Sequence, residues 1–236
     1  MPAARGGRGT IVGVKLLRNG RIAAFAALGT ALAAAAAGCS SSGSDQTPTA
    51  QISQIGPSSA YAGPVLTKPF GLPTGTFQST AGGTESIKTP AKGDLTLVFY
   101  GFTHCDDDCP TTMADISAAW RGLPQDEQGR ITIDVVTTDP WRDTTPVLAS
   151  WLARFNLPSS TGLTASFDTI EASGASVGVD VEKPTDMSGD YQVTHSLQVL
   201  GYTSDGKAHI EWLVEDITVE QLRADFARIL SGAAIQ

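Results

Sequence analysis

The chain is poor in sulfur, in histidine and, past its start, in positive charge. Its 236 residues hold three cysteines and three histidines. With no second cysteine pair and no regularly spaced Cys/His set, zinc fingers and ribbons are excluded, since structural zinc takes four such ligands. Five of the 16 lysines and arginines fall within residues 1–38, leaving 11 basic against 24 acidic side chains in the remainder. Such an acidic chain does not neutralise phosphates, which argues against nucleic acid and toward a cationic ligand or a basic patch on a partner. No internal repeat is visible, and the length suits one well-buried domain with appendages.

The start of the chain carries Arg5, Arg8, Lys15, Arg18 and Arg21 without a carboxylate, then the uncharged, alanine-rich run Ile22–Ala37. It ends in Ala36-Ala37-Gly38-Cys39. A basic start, an apolar core and small residues before a cut describe a secretory signal. The Gly38-Cys39 junction resembles the bacterial lipobox, with Ala36 where leucine is more usual, and implies that Cys39 is lipidated. The competing reading is a transmembrane anchor, because the run approaches the lower length limit of a span. The Gly-Cys junction favours the lipoprotein, and both readings place the rest outside the cytoplasm, held at the cell membrane. Residues 39–64, rich in Ser, Thr, Gln, Gly and Pro, read as a flexible tether, with the folded domain over 65–236. With Cys39 committed to lipid, Cys105 and Cys109 remain as one pair in an oxidising compartment.

Within the domain, Val65–Phe70 reads as a first strand, followed by weak hairpin signals at Gly75 and Gly82-Gly83. Leu95–Tyr100 is a continuous apolar run of the kind found in a fully covered strand. Thr111 to Trp120 has Met113, Ile116 and Trp120 at helical spacing. Ile131–Val136 reads as a strand, Thr144–Phe155 as an amphipathic helix, Gly162–Ala165 as a strand or loop, and Phe167–Ser176 as a helix. Leu197–Tyr202 and His209–Leu213 bracket the turn Ser204-Asp205-Gly206, a hairpin signal. A last helix spans Thr218–Leu230 with Thr218 as N-cap. This order predicts an α/β, thioredoxin-like fold: βαβ, then ββα, in one mixed sheet flanked by helices.

Cys105 and Cys109 sit between the apolar strand and the helix, where a helix N-terminus stabilises a thiolate. Three residues separate them, not the two of ordinary disulfide oxidoreductases. Four positions apart on a first turn, the sulfurs either converge on one object or bond each other as a Cys105–Cys109 disulfide in an oxidised, metal-free form. A purely structural disulfide would close a very small loop and stabilise little. Copper suits the inventory: Cu(I) favours thiolates, and imidazole is a copper ligand. Of the histidines, His104 flanks Cys105, and His209 lies in an alternating strand. His195 immediately precedes the hairpin, in the loop that faces the cysteine turn in thioredoxin-like topology. Thioredoxins place a cis-proline there, whereas this chain has Thr194-His195 and no proline after Pro184.

Phe99-Tyr100-Gly101-Phe102-Thr103-His104-Cys105, with Asp107 and Cys109-Pro110-Thr111-Thr112-Met113, resembles the cysteine motif of the Sco/SenC family. Thr138–Thr144 resembles its DPxRDT segment and Asp190–Ser196 its DYxVxHS segment, in the right order and spacing. The resemblance covers roughly Val65 to Leu230. It implies a membrane-tethered copper protein that assists assembly of the dinuclear copper centre of cytochrome c oxidase subunit II. By position, it implies Cys105, Cys109 and His195 as metal ligands. Family members deliver copper, reduce the target's cysteines, or both, so a thiol–disulfide reductase using Cys105 and Cys109 as its catalytic pair is the alternative. A peroxidase-like or redox-sensing relative is a third. Asp139 matches an acidic family position near the site, with a turn role as its bland alternative, and Arg142 with Asp143 reads as a local turn pair. Asp106 and Asp108 depart from the family's proline and apolar residue. Three consecutive carboxylates are expected to raise both thiol pKa values and to favour metal holding over fast exchange.

Overall fold

The computed structural model describes residues 60–236. The expected signal segment, lipidation of Cys39 and tether up to residue 59 lie outside the described residues. The folded part begins before the expected boundary at 65. Tyr61 is buried, and the amides of Ala62 and Gly63 donate to the carboxylate of Asp225 at 2.9–3.0 Å. The last residues assigned to the tether are therefore part of the packed domain.

Eight strands form one mixed sheet: β1 (Val65–Phe70), β2 (Phe77–Ser79), β3 (Thr84–Glu85), β4 (Leu95–Gly101), β5 (Ile131–Thr137), β6 (Ser160–Thr164), β7 (Val199–Tyr202) and β8 (Ala208–Trp212). Their order is β1-β8-β7-β4-β5-β6-β2-β3. The central β4 runs parallel to β5 and antiparallel to β7, and β5 runs parallel to β6. All seven residues of β4 are buried, which requires cover on both faces of the sheet. Helices α1 (Asp108–Arg121), α2 (Gln125–Gln128), α3 (Thr145–Leu152), α4 (Phe167–Ala175) and α5 (Val219–Leu230) complete the fold. The mixed sheet flanked by helices is the thioredoxin-like arrangement that the order of elements predicts.

Local chemistry accounts for the helix ends. Thr218 caps α5 in a reciprocal box, its hydroxyl accepting from the Gln221 amide while the Gln221 side chain accepts from the Thr218 amide. Pro146 stands in the first turn of α3, where its missing N–H costs nothing. The expected helix Thr144–Phe155 is in fact α3 plus a 3-10 turn over Ala153–Phe155, closed by left-handed Asn156. The short α2 has no apolar face of its own and leaves no periodic signal.

Two differences bear on the site. Helix α1 begins at Asp108, not Thr111, so Cys109 belongs to its first turn. The β7–β8 hairpin closes at Thr203–Lys207 with Gly206 at φ 72°, and its Asp205 carboxylate accepts from His209 Nε2 at 2.7 Å. Because Thr96 pairs with Tyr202 and Phe99 with Val199, that turn lies at the opposite end of β4 from the cysteines. His209 is thereby separated from the sulfur pair by the length of the sheet.

Candidate metal centre

The site forms where β4 ends and α1 begins. The chain leaves Gly101, makes a tight turn in which the Cys105 amide donates to the Phe102 carbonyl at 3.4 Å, and enters the helix. The N-cap residue Asp107 makes no side-chain cap bond. Instead the Cys109 amide, one of the helix's orphan donors, points at Cys105 Sγ at 3.3 Å. The sulfur occupies the place a capping oxygen would take.

That position sets the ionisation of the pair. Cys105 is held down to about 5, first by a hydrogen bond from the Cys109 thiol and then by the amides of Cys109, Asp107 and Asp108, against the opposing effect of its partial burial. Cys109 is pushed up, because it donates to Cys105, is fully buried and faces the negative sulfur. Both cysteines are free thiols. The pair titrates as a unit, losing one proton readily and holding the other. The expectation that the aspartates raise both thiols fails for Cys105, since hydrogen bonds aimed at the sulfur outweigh exposed charge. Within the pair, the charge of Asp108 is a minor upward influence on Cys109.

Cys109 fits because residue 101 is glycine. A Cβ there would lie 2.6 Å from Phe99 Cε1 and 3.1 Å from Cys109 Sγ. Sequence reasoning quoted Gly101 without giving it a role. Its signal is a glycine closing an apolar strand just before the reactive turn.

His195 arrives from the segment before β7. An isolated antiparallel bridge pairs it with Val181, flanked by Glu182 N to Thr194 O and Ser196 N to Asp180 O, both 2.9 Å. Its Nδ1–H donates to the Ser196 carbonyl at 2.8 Å, which fixes the tautomer and leaves the Nε2 lone pair toward Cys109 Sγ at 3.8 Å. Burial lowers its pKa, so the ring stays neutral at physiological pH. Phe102 meets the imidazole edge-on, centroids 5.7 Å apart, a packing partner that the sequence did not suggest.

Three of the predicted residues thus come together in series, Cys105 to Cys109 to His195. They have not closed into a cage: among the described residues no group of three His, Cys, Asp or Glu side chains is gathered as tightly as an ion would draw it. The donor set, two sulfurs and one neutral imidazole nitrogen, is a soft one that matches Cu(I). His104 stays at the rim, its Nδ1 3.1 Å from Thr103 Oγ1.

The Asp139–Asp143 turn differs from its expected form. Arg142 and Asp143 do not pair with each other. Arg142 Nε bonds Asp139, whose other oxygen accepts from Tyr191 Oη at 2.8 Å. Asp143 turns the other way, accepting from the Thr103 amide at 3.0 Å, the Thr103 hydroxyl at 2.5 Å and the Thr137 hydroxyl at 2.7 Å. Burial raises the Asp143 pKa, and these hydrogen bonds work against that.

Comparison with known proteins identifies the family. The sequence model of the family described as SCO1/SenC matches residues 73–231, which include the cysteine turn, the Asp139–Asp143 turn and His195. A protein of Stutzerimonas stutzeri whose name describes copper binding is 31% identical over 121 residues, 50% of this chain and 59% of its own. Mitochondrial SCO1 of Saccharomyces cerevisiae is 28% identical over 173 residues, 66% of this chain and 56% of its own. The chain spans about half the length of the curated relatives it matches. The solved structure of Bradyrhizobium japonicum ScoI with copper bound is 28% identical and superimposes with a TM-score of 0.57, covering 69% of this chain and 98% of that one. With well over half of its length and all three of its motifs inside the family match, the chain belongs to the SCO1/SenC family.

Proposed function

We propose that this protein is a membrane-tethered, extracytoplasmic copper chaperone that takes up copper through Cys105, Cys109 and His195. Its target is the dinuclear copper centre of cytochrome c oxidase subunit II, and its anchor is the lipid on Cys39. The observation that carries the reading is the series of donors, with His195 Nε2 3.8 Å from Cys109 Sγ and its proton on the other nitrogen. Copper is cargo, so the site must hold a soft cation and also release it. The half-buried Cys105 thiolate is the first donor an incoming ion meets. Cys109 gives up its proton as the ion arrives, and His195 supplies a neutral nitrogen with no proton to lose. The copper bound by the Bradyrhizobium relative supports copper as the cargo, and the motif resemblance supports this donor set.

A second reading rests on the ionisation of the pair. A low-pKa, partly exposed Cys105 beside a buried, protonated Cys109 suits a dithiol reductant. The Cys105 thiolate would attack a target disulfide and release one target thiolate. Cys109, losing its proton, would then attack Cys105 Sγ, leaving a Cys105–Cys109 disulfide and a target dithiol.

Copper(I) titration of the reduced protein against a chromogenic chelator separates the two. The expected result is one tightly held ion per chain, with affinity lowered about 100-fold or more by Cys105→Ser or Cys109→Ser, since one of three ligands is removed. His195→Ala is expected to lose copper affinity while keeping disulfide reduction. Equal copper binding by wild type and Cys105→Ser would overturn the chaperone reading.

A further inference from the structure

The two halves of the donor set stand on separate loops, and one short turn touches both. Asp143 holds the cysteine loop through the amide and hydroxyl of Thr103, two residues before Cys105. Its neighbour Arg142 holds the strap of chain that runs from Glu182 to His195. The guanidinium donates to the Tyr191 carbonyl at 2.8 Å, reaches Asp190 at 3.5 Å and lies 3.6 Å over the Tyr191 ring. The Tyr191 hydroxyl bonds Asp139, which also takes Arg142 Nε. The same guanidinium is 6.0 Å from the centre of Phe102, the ring that packs against His195.

The strap has little else to hold its outer part. Between Glu182 and Asp190 it forms no strand, and Met187 stands exposed. Its inner end is fixed by the Val181–His195 bridge, the bonds that flank it and the buried side chains of Val181 and Val193. Arg142 itself is largely buried and combines a place over the Tyr191 ring with bonds to Asp139 and the Tyr191 carbonyl, a set that the forked guanidinium meets and a single ammonium does not.

We propose that Arg142 is a positioning residue for the copper site: by clasping Tyr191 it keeps the strap closed and His195 seated over Cys109. It touches neither sulfur nor imidazole, and acts through Tyr191 and Phe102. The role rests on the copper reading above, but the closure of the strap does not depend on metal.

Two measurements test it. In the reduced, metal-free protein, alkylation of the buried Cys109 reports whether the strap is closed, with the Cys105→Ser background isolating that thiol. Arg142→Ala is expected to speed the reaction about tenfold, Arg142→Lys to restore protection only in part, and Tyr191→Phe, which keeps the ring but loses the Asp139 bond, to fall between. In copper(I) titration Arg142→Ala is expected to cost about tenfold in affinity, within the range for residues that orient a ligand. It should cost little more once His195 is already alanine, because the two act as one unit. An unchanged alkylation rate, or losses that add in full in the double variant, would overturn the clasp. If wild type takes up no copper the chaperone reading fails, while alkylation still decides the role of Arg142. If Arg142→Ala does not fold, Tyr191→Phe and Arg142→Lys carry the test, and wild-type protection in both would overturn it.

Discussion

Cys105 and Cys109 are four positions apart and ionise in opposite directions. A sulfur that receives an amide and a thiol hydrogen bond keeps its negative charge cheaply, and the sulfur that donates is the one forced to stay protonated. The alkylation rate of Cys105 should therefore be flat at neutral pH and fall only as pH drops through about 5, about tenfold per unit below that. The sign follows from the depressed pKa: the reactive thiolate is present above it and lost below. A rate profile centred near the ordinary thiol value of 9 would contradict the geometry. The sulfurs themselves were legible in the sequence, since two cysteines four apart between an apolar strand and a helix have few other uses. The downward shift of Cys105 was not. Counting aspartates captures charge, but not which amide points at which sulfur, and that depends on α1 starting at Asp108. His195 was legible through topology, because a residue just before the hairpin must come to the end of β4 where the cysteines lie. The tasks of Arg142 and Asp143 were hidden, since nothing in a local motif says that neighbouring side chains turn to different loops.

Strand β5 carries a side chain at odds with its place. Asp134 sits on a mostly buried strand, its carboxylate without a hydrogen bond or ion pair among the described residues, facing a cleft of about 290 Å³ that also includes Glu85, Lys88 and Arg130. Burial, helped by Glu85, raises it from its ordinary 3.8 to about 6, with Lys88 pulling slightly the other way. A carboxyl whose folded pKa is raised favours the native state fully only below the unfolded value. Its contribution is lost as pH climbs from about 4 to about 6. Asp134→Asn should accordingly stabilise the protein at pH 7 by on the order of 1–3 kcal/mol and flatten stability across that window, as read by urea unfolding at several pH values. No gain at pH 7 would show that water already solvates the carboxylate. The strands themselves were the easiest part of the chain to foresee, because β4 and β5 are apolar runs and β7–β8 has a turn signature. The β2–β3 ribbon was faint: two or three residues per strand give no period, and its place beside β6 is a long-range pairing that no local pattern encodes.

The domain is fastened where it begins. Asp225 on α5, only 3% exposed, accepts the amides of Ala62 and Gly63 and the Trp212 indole N–H at 2.9–3.0 Å, tying the entering chain to β8 and α5 at once. Gly63 must be a glycine there, since a Cβ would fall 2.4 Å from the Trp212 ring. Asp225→Ala leaves three donors unmatched. It should cost about 3 kcal/mol or more in unfolding free energy and open the segment around Tyr61 to proteolysis, whereas Asp225→Asn should cost less because one acceptor oxygen remains. A polar-rich composition hid this anchor, for Tyr61 and Gly63 read as the end of a linker until the indole against Gly63 is in view.

The unequal depth of the two sulfurs gives the whole molecule a direction of traffic. Cys109 is buried between Gly101 and the ring of His195, while Cys105 is only half-buried. A site of this shape is a cul-de-sac. On either proposed function, an ion or a foreign sulfur would enter past Cys105, go no farther than Cys109 and His195, and leave by the way it came. On the proposed reading Cys105 is both the first donor met on entry and the last one left on handover, so a recipient has to present its own ligands on that side.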